Sequence, residues 1–275
     1  MTARETLVIK AGQPPYYYWR DLWQYRELFY FLSWRDILVR YKQTAVGVAW
    51  ALIRPFLTMV VFTVIFGKLA DLPSDGVPYP ILVFAAMLPW QFFANSLAAC
   101  SESLVANANL LSKVYFPRLI VPLSAIAVSF VDFLISVTIL LALMIWYQFV
   151  PSWRIVMLPF FVAIAIGAAL GGGIWFASLN VRYRDFRYVV PFVVQFGLYV
   201  SPVGFSSNVV PERWRFWYSL NPLVGVIDGF RWAILGGETE FYLPGFLLSL
   251  TLVLFLFGSG FWYFRKVERT LADII

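Results

Sequence analysis

The stretch IVMLPFFVAIAIGAALGGGIWFASLNV, residues 155–181, runs for 27 residues without a charged side chain. A helix needs about 20 mostly apolar residues to cross a bilayer, so this stretch predicts a transmembrane helix. The whole chain agrees: of its 275 residues, 61% are hydrophobic and 13% are charged. In soluble domains about 45–50% of the residues are apolar and about 25% are charged. The composition therefore excludes an ordinary soluble domain and indicates a membrane protein.

Six apolar segments separated by polar residues predict the fold class, an all-α integral membrane protein with six transmembrane helices. Residues 1–275 form a single transmembrane domain in this interpretation. Residues 1–44 are expected in the cytoplasm, and residues 206–241 form two short re-entrant or interfacial helices joined at Asn221 and Pro222. The predicted spans are residues 45–66, 77–100, 119–149, 155–181, 189–205 and 242–264.

The region before the first span predicts a helix on the cytoplasmic membrane face. Its apolar residues recur at helical spacing along one stripe, and tryptophans suited to an interface flank them. The stripe consists of Leu22, Tyr25, Phe29 and Leu32. The tryptophans are Trp19, Trp23 and Trp34.

The distribution of basic residues predicts the orientation. With a cytoplasmic amino terminus, 16 of the 21 Lys and Arg residues lie inside and 5 outside, as the positive-inside rule requires. An even number of spans then places the carboxyl terminus in the cytoplasm too. The same rule accounts for the net charge of +6 without a nucleic-acid partner. The five outer residues are Lys68, Arg154, Arg213, Arg215 and Arg231.

Several kinds of chemistry are excluded by what the sequence lacks. The chain has no histidine and one cysteine, Cys100, so histidine-based catalysis, cysteine metal clusters and an intrachain disulfide are excluded. The phosphate-binding pattern GxxxxGK[ST] does not occur, and the Gly67–Lys68 pair is followed by Leu69. We therefore expect no catalytic residue, metal site or cofactor in this chain. An ion gradient or a separate polypeptide must supply the energy for any transport.

Two charges fall inside predicted spans, where ionisable residues are functional candidates. Asp132 lies in the third predicted span and Arg54 in the first, next to the helix-kinking Pro55. Asp132 could relay protons, touch substrate, pair with Arg54 or accept a hydrogen bond from a neighbouring span. Arg54 could line a cavity or reach towards lipid phosphates.

Two further patterns predict structure without naming a function. Residues 101–115 are expected to form a short amphipathic helix ended by Pro117, either a simple connector or a lever that docks into another protein. In the fourth span, Gly167, Gly171, Gly172 and Gly173 predict close packing between helices.

Four motifs in order along nearly the whole chain carry a family resemblance. They are RDILVRYKQT at 35–44, followed by Gly47, Trp50 and Pro55; NANLLSKVYFPR at 107–118; NVRYRD at 180–185; and Asn221-Pro222 with DGFR at 228–231. The chain resembles the permease subunits of polysaccharide-exporting ABC transporters. Members of that family export lipid-linked O-antigen, capsular polysaccharide or teichoic acid, and the motifs do not separate these substrates.

The resemblance implies a homodimer in a bacterial inner or plasma membrane, with two copies of a separate ABC ATPase subunit that binds ATP and Mg. The implied partners also include membrane lipids and a lipid-linked polysaccharide. Its lipid head group would enter at a cytoplasmic gate of arginines, whose guanidinium groups suit phosphate; simple positive-inside topology also explains these arginines. The gate residues are Arg182, Arg184 and Arg187. The implied ATPase-coupling residues are Asn107, Asn109, Lys113, Tyr115 and Arg118.

Aromatic residues make up 20% of the chain, which is more than lipid anchoring requires. Flat rings bury area without fixed hydrogen-bond geometry, so a channel lined by them could hold a sliding glycan. For each candidate, a lipid-facing or packing role is the alternative. The candidate lining residues are Trp50, Phe56, Phe192, Phe196, Tyr199, Trp214 and Trp217.

The resulting hypothesis is ATP-driven export of an O-antigen-like, lipid-linked polysaccharide through a homodimeric channel. Three alternatives stay open: a small-molecule or drug exporter of the ABC class, a proton-coupled carrier that uses Asp132, and a membrane enzyme such as a glycan polymerase. The enzyme would need clustered acid and base residues. The outer carboxylates available to it have no recognisable spacing; they are Glu212, Asp228, Glu238 and Glu240.

Overall fold

The computed structural model of the protein describes residues 15–42, 45–74, 76–236 and 241–269. Within these residues the chain folds as a bundle of α-helices joined by short connections. The helices are α1 (Pro15–Gln24), α2 (Arg26–Lys42), α3 (Ala45–Phe62), α4 (Tyr79–Ala106), α5 (Ala108–Lys113), α6 (Ile120–Trp146), α7 (Leu158–Arg182), α8 (Phe186–Val200), α9 (Glu212–Tyr218), α10 (Pro222–Leu235) and α11 (Leu243–Glu268).

Five helical segments in the described residues are long and apolar enough to cross a membrane. The predicted span 189–205 differs, because its helix α8 has only 15 residues. Pro202 pushes the preceding residue towards an extended conformation, and Ser201 has φ −89° and ψ 152°. The five segments are Ala49–Leu69, Tyr79–Ala106, Ile120–Trp146, Trp153–Arg182 and Leu243–Glu268.

Helix α4 forms the centre of the bundle. It packs against α3, α6, α7, α8 and α10. In its most apolar stretch 78% of the residues are buried, against 17% in the segment that contains α3. Buried polar contacts add to this packing: Asn180 of α7 donates a hydrogen bond to the carbonyl oxygen of Ser101 in α4 at 3.1 Å. Helices α3 and α8 therefore lie at the periphery of a single chain.

The glycines of α7 pack against neighbours within the same chain. A Cβ atom on Gly171 would lie 2.6 Å from the backbone nitrogen of Phe257 in α11, and one on Gly173 would lie 2.6 Å from the sulfur of Cys100 in α4. Gly260 of α11 faces the carbonyl oxygen of Gly171 so closely that a Cβ would clash. Small residues thus let three helix backbones approach closely, as in other membrane bundles.

Helix α3 continues as a π-helix over Thr63–Leu69. π-Helices are rare in proteins, and those that occur are often found at functional sites. Gly67 in this turn lies under the ring of Tyr79, where a Cβ would be 2.8 Å from the ring carbon Cγ. The Tyr79 hydroxyl donates a hydrogen bond to the carbonyl oxygen of Gly204 at 2.8 Å. These contacts join the end of α3, the start of α4 and the irregular residues 201–205.

The two helices predicted before the last span are present as α9 and α10, with their junction at Asn221. The Asn221 side chain accepts a hydrogen bond from the backbone N–H of Leu223, which caps α10 ahead of its first-turn proline. Helix α10 is almost wholly buried and packs on α4, α7 and α11. Helix α9 is largely exposed.

Arg231 of α10 holds together the start of α4 and the irregular residues that follow α8. Its guanidinium group donates hydrogen bonds to the carbonyl oxygens of Phe205 at 2.7 Å, Val203 at 3.1 Å and Leu82 at 3.3 Å. The side chain is buried, with 3% exposed. Arginine suits this site because one rigid group carries five N–H donors. The sequence placed this residue in an outer loop, and the structure places it inside the bundle.

Gly260→Ala and Gly258→Ala test the close packing of α7 and α11. A methyl group at position 260 meets the Gly171 carbonyl, whereas one at position 258 meets nothing within 4 Å. We expect Gly260→Ala to lower the free energy of unfolding by about 1–3 kcal/mol through overpacking. Gly258→Ala, on the same helix, is the control and should raise it by about 0.5–1 kcal/mol, because alanine favours a helix more than glycine does. Thermal unfolding in detergent, followed by tryptophan fluorescence, measures both, and equal midpoints would contradict the packing argument.

Candidate functional site

The coupling segment, residues 107–118, connects α4 to α6. The predicted single helix over 101–115 is wrong: residues up to Ala106 continue α4, and α5 is a separate turn and a half. Asn107 stands at the junction, where its amide donates to the carbonyl oxygen of Ser103 at 2.9 Å and accepts from Nη2 of Arg35 at 3.3 Å. The start of the segment is therefore tied to α2.

The other end of the coupling segment is tied to α11. The backbone N–H of Arg118 donates to Oε1 of Glu268 at 3.1 Å, and its guanidinium donates to the Glu268 carbonyl oxygen. Glu268 also accepts from the Tyr18 hydroxyl at 3.2 Å and pairs with Arg265 at 2.9 Å. Burial and the Glu268 carboxylate raise the pKa of the Tyr18 hydroxyl. Helices α1 and α11 and the coupling segment thus meet at one carboxylate.

Between its two fixed ends the coupling segment projects from the bundle. Asn109 and Lys113 are exposed, and Tyr115 has 62% of its surface exposed beside the exposed Val114. Val114 and Tyr115 form an exposed apolar pair next to the cationic Lys113, at the tip of a segment whose two ends are fixed. Such a surface is suited to contact with another protein, because aromatic residues are enriched in interfaces. Of the five predicted coupling residues, the structure places three on this tip and uses Asn107 and Arg118 as its anchors.

The three predicted gate arginines lie together at the turn between α7 and α8. Arg182, Arg184 and Arg187 are all exposed, and the Arg182 guanidinium lies 5.5 Å from the ring centre of Tyr183. Among the residues that the structure describes, none of the three lies within ion-pair distance of a carboxylate. Three accessible guanidinium groups at one turn form a site that can bind an anionic phosphate group.

The two charges predicted inside spans do not pair with each other. Arg54 is exposed on α3 with its guanidinium 5.9 Å from the ring centre of Trp50. Asp132 is buried on α6, and Nη2 of Arg40 lies 2.8 Å from its Oδ2. The Tyr41 hydroxyl donates a hydrogen bond to the other carboxylate oxygen of Asp132. Burial and this hydrogen bond raise the pKa of Tyr41.

The seven predicted channel residues share one property, an exposed fraction of 45% to 66% in the single chain. On α8, three of them continue an aromatic stripe that begins at Tyr188, and the rings of Phe192 and Phe196 stack at 6.0 Å. On α3, Trp50 and Phe56 are exposed. The last two, Trp214 and Trp217, project from α9 at the Arg231 end of the bundle. The structure thus places these residues as exposed rings on three helices, α3, α8 and α9.

Of the four outer carboxylates, two lie within the residues that the structure describes, and these two occupy different settings. Asp228 accepts a hydrogen bond from the Ser207 hydroxyl at 2.7 Å inside a small polar cavity that Arg231 also lines. Glu212 is exposed at the start of α9. Glu238 and Glu240 lie outside the described residues. Asp228 therefore takes part in the polar contacts that position α10.

Sequence reasoning missed three residues that organise the site. Arg40 was counted only as part of a motif, although it pairs with Asp132. Arg231 was counted only as an outer charge and as part of a motif. Glu268 received no role. A usable signal existed for Arg231 alone, because it follows a strongly apolar stretch, 222–230, that contains Asp228 as its single charge.

Comparison with known proteins agrees with this geometry. The O-antigen export system permease protein RfbA of Klebsiella pneumoniae is 27% identical over 90% of this chain and 95% of its own length. The protein of the same name from Myxococcus xanthus is 28% identical over 77% and 82%. The polysialic acid transport protein KpsM of Escherichia coli is 23% identical over 84% and 91%.

The family described as ABC-2 type transporter matches residues 27–235, a region that begins in α2 and ends with α10. It includes the coupling segment, the gate arginines and both peripheral helices. The expected ABC transporter family is therefore confirmed. The chain belongs to the ABC-2 type transporter family.

Proposed function

We propose that this chain is the membrane subunit of an ATP-driven exporter of lipid-linked, O-antigen-like polysaccharide. Two copies form the channel, and two copies of a separate ATPase subunit bind ATP and Mg and supply the energy. The aromatic stripe on α8 carries this proposal, because a single chain leaves it exposed beside arginines suited to phosphate. The names of the relatives, which are export permeases for O-antigen and polysialic acid, support the class of substrate.

Six crossings are part of the proposal. Helix α8 is about 22 Å long at 1.5 Å per residue, which is short of the bilayer's hydrocarbon core of about 30 Å. Residues 201–205 extend it as irregular backbone, which a membrane tolerates only where protein satisfies its polar groups. Arg231 provides this by donating to Val203 and Phe205. Six crossings place both termini on one side, and the positive-inside rule makes that side the cytoplasm.

The channel in this proposal forms where the exposed faces of α3 and α8 meet those of a second copy. Both helices pack on α4 and turn their aromatic rings away from it. Polysaccharides present apolar C–H faces between hydroxyl edges, so stacked rings such as Phe192 and Phe196 provide weak, repeated contacts. The hydroxyl groups of Tyr188 and Tyr199 add hydrogen-bonding partners along the same stripe. A conduction path must bind weakly enough to release its cargo, which favours such contacts.

The gate arginines provide the entry point. They lie at the start of α8, so a lipid phosphate bound to Arg184 or Arg187 would present its sugar to Tyr188, whose side chain is 78% exposed. The exit lies at the other end of the same helix, near Trp214 and Trp217. Substrate therefore follows the length of α8 from phosphate-binding cations to exposed indole rings.

Copurification tests the proposal as a whole. The subunit, purified in mild detergent from its native host, should carry an ATPase subunit and a lipid-linked polymer that mass spectrometry identifies. Recovery of an ATPase with a small amphiphile in place of the polymer would favour a drug exporter. Recovery of the dimeric permease alone, even after crosslinking, would overturn ATP-driven export.

The aromatic stripe gives a residue-level prediction. The double variant Phe192→Ala/Phe196→Ala should reduce the export rate about tenfold, because each lost stacking contact is worth about 0.5–1.5 kcal/mol. Phe255→Ala is the matched control, since Phe255 is 68% exposed on α11, away from the proposed channel. Export is measured as surface polysaccharide accumulating after induction. Equal losses in both variants would contradict a special role for α8.

The tip of the coupling segment gives a second prediction. Lys113→Glu reverses an exposed charge on the face proposed to meet the ATPase, so ATPase association should weaken about tenfold. Lys68→Glu is the control, because Lys68 is equally an exposed lysine but lies at the opposite end of the bundle. Pull-down of the ATPase subunit and ATP hydrolysis by the complex measure the effect. Unchanged association after Lys113→Glu combined with Tyr115→Ala would rule out docking at this tip.

A further inference from the structure

Asp132 occupies an unusual position for a carboxylate. It is the thirteenth of the 27 residues in α6, a helix that is otherwise strongly apolar. The side chain is 11% exposed. A charge in this setting is costly unless a partner compensates it. The structure supplies two partners, and both come from α2.

The contacts reach both oxygens of the carboxylate. The Tyr41 hydroxyl donates to Oδ1, and the Arg40 guanidinium lies 2.8 Å from Oδ2. The second contact is an ion pair without an aligned hydrogen bond. The Arg40 side chain is 48% exposed, so the pair is only partly buried, and it is the loss of Arg40 that would leave a buried carboxylate without its counter-charge. The carboxylate therefore holds α2 firmly against α6.

These two partners lie at the end of α2. Arg40 and Tyr41 belong to the last turn of α2, and α3 starts at Ala45, four residues after Tyr41. Helix α3 carries Trp50, one of the proposed channel residues. The position of the last turn of α2 therefore influences the position at which α3 begins.

The same helix is joined to the coupling segment. Arg35, six residues before Tyr41, donates to the Asn107 side chain at 3.3 Å. The two contacts are about 9 Å apart along one continuous helix. Helix α2 thus connects the coupling segment to Asp132. Its last turn also precedes the start of α3.

We infer that Asp132 is a positioning residue that fixes the last turn of α2 against α6 as a pivot. Movement of the coupling segment then reaches the first span through α2. This inference rests on the proposed function and adds to it a route from ATPase docking to the channel. The bond to Tyr41 and the ion pair with Arg40 are both needed, because one holds the end of the helix and the other balances the buried charge.

Two measurements test the inference, and the first is independent of any ATPase. Spin labels on Val39→Cys in α2 and Leu141→Cys in α6, both at exposed positions, report the separation of the two helices in nanodiscs. Asp132→Asn keeps a hydrogen-bond acceptor but loses the ion pair, so the mean distance should increase and its distribution broaden. Asp132→Glu should restore a narrow distribution. An unchanged distribution in Asp132→Asn would overturn the inference.

The second measurement uses the complete transporter in proteoliposomes. Asp132→Asn should leave ATP hydrolysis within about twofold of the original protein while export per ATP falls about five- to tenfold, the size of a typical coupling free energy. Asp71→Asn makes the same chemical change at an exposed site and is the control. Export per ATP equal to that of the original protein would also overturn the inference. If the original protein shows no ATP-dependent export, the proposed function fails, and the spin-label result still decides the role of Asp132.

Discussion

The hydrocarbon of a bilayer offers no hydrogen-bond partner, so every polar group that the bundle carries inside must find one in the protein. Three contacts follow this constraint. Arg231 satisfies the carbonyl groups of the irregular residues 201–205, Asn180 binds Ser101 across two helices, and Asp132 is paired with α2. Each contact joins elements distant in sequence. The constraint that makes these groups expensive therefore also fixes which helices lie together.

The arrangement divides the molecule into a centre and a periphery. Helix α4 is surrounded, and the glycines of α7 let it approach α4 and α11 closely. Helices α3 and α8 contribute little to this centre and keep broad exposed faces. In the proposed exporter this division separates two tasks: the centre remains packed while the peripheral helices of two copies meet around the substrate. The coupling segment is anchored to both α2 and α11, so it is held by helices from the two ends of the described chain.

The sequence predicted the features that depend on local patterns. Long apolar stretches marked the five long spans, the Asn221–Pro222 junction marked the start of α10, and the glycines marked close packing. It could not supply features that depend on distant partners. Asp132 accepts a hydrogen bond from Tyr41, 91 positions away, and no local pattern in either segment predicts this contact. Hydropathy did not reveal that α10 is buried in the bundle, since a lipid-facing helix would look the same. The sequence supplied the aromatic candidates by residue type alone, and their common exposure emerges only from the packing of the other helices.

The π-helix at Thr63–Leu69 has a consequence for how this chain aligns with its relatives. A π-turn accommodates one more residue than an α-turn, so it has the geometry that an inserted residue leaves in a helix. A related chain with one residue fewer here would keep a regular α-helix. Successive side chains of an α-helix are rotated by about 100° about its axis. In the shorter chain, the side chains that follow the missing residue therefore keep their directions only if the gap lies within this turn. Alignments of the first span should therefore place single-residue gaps between Thr63 and Leu69.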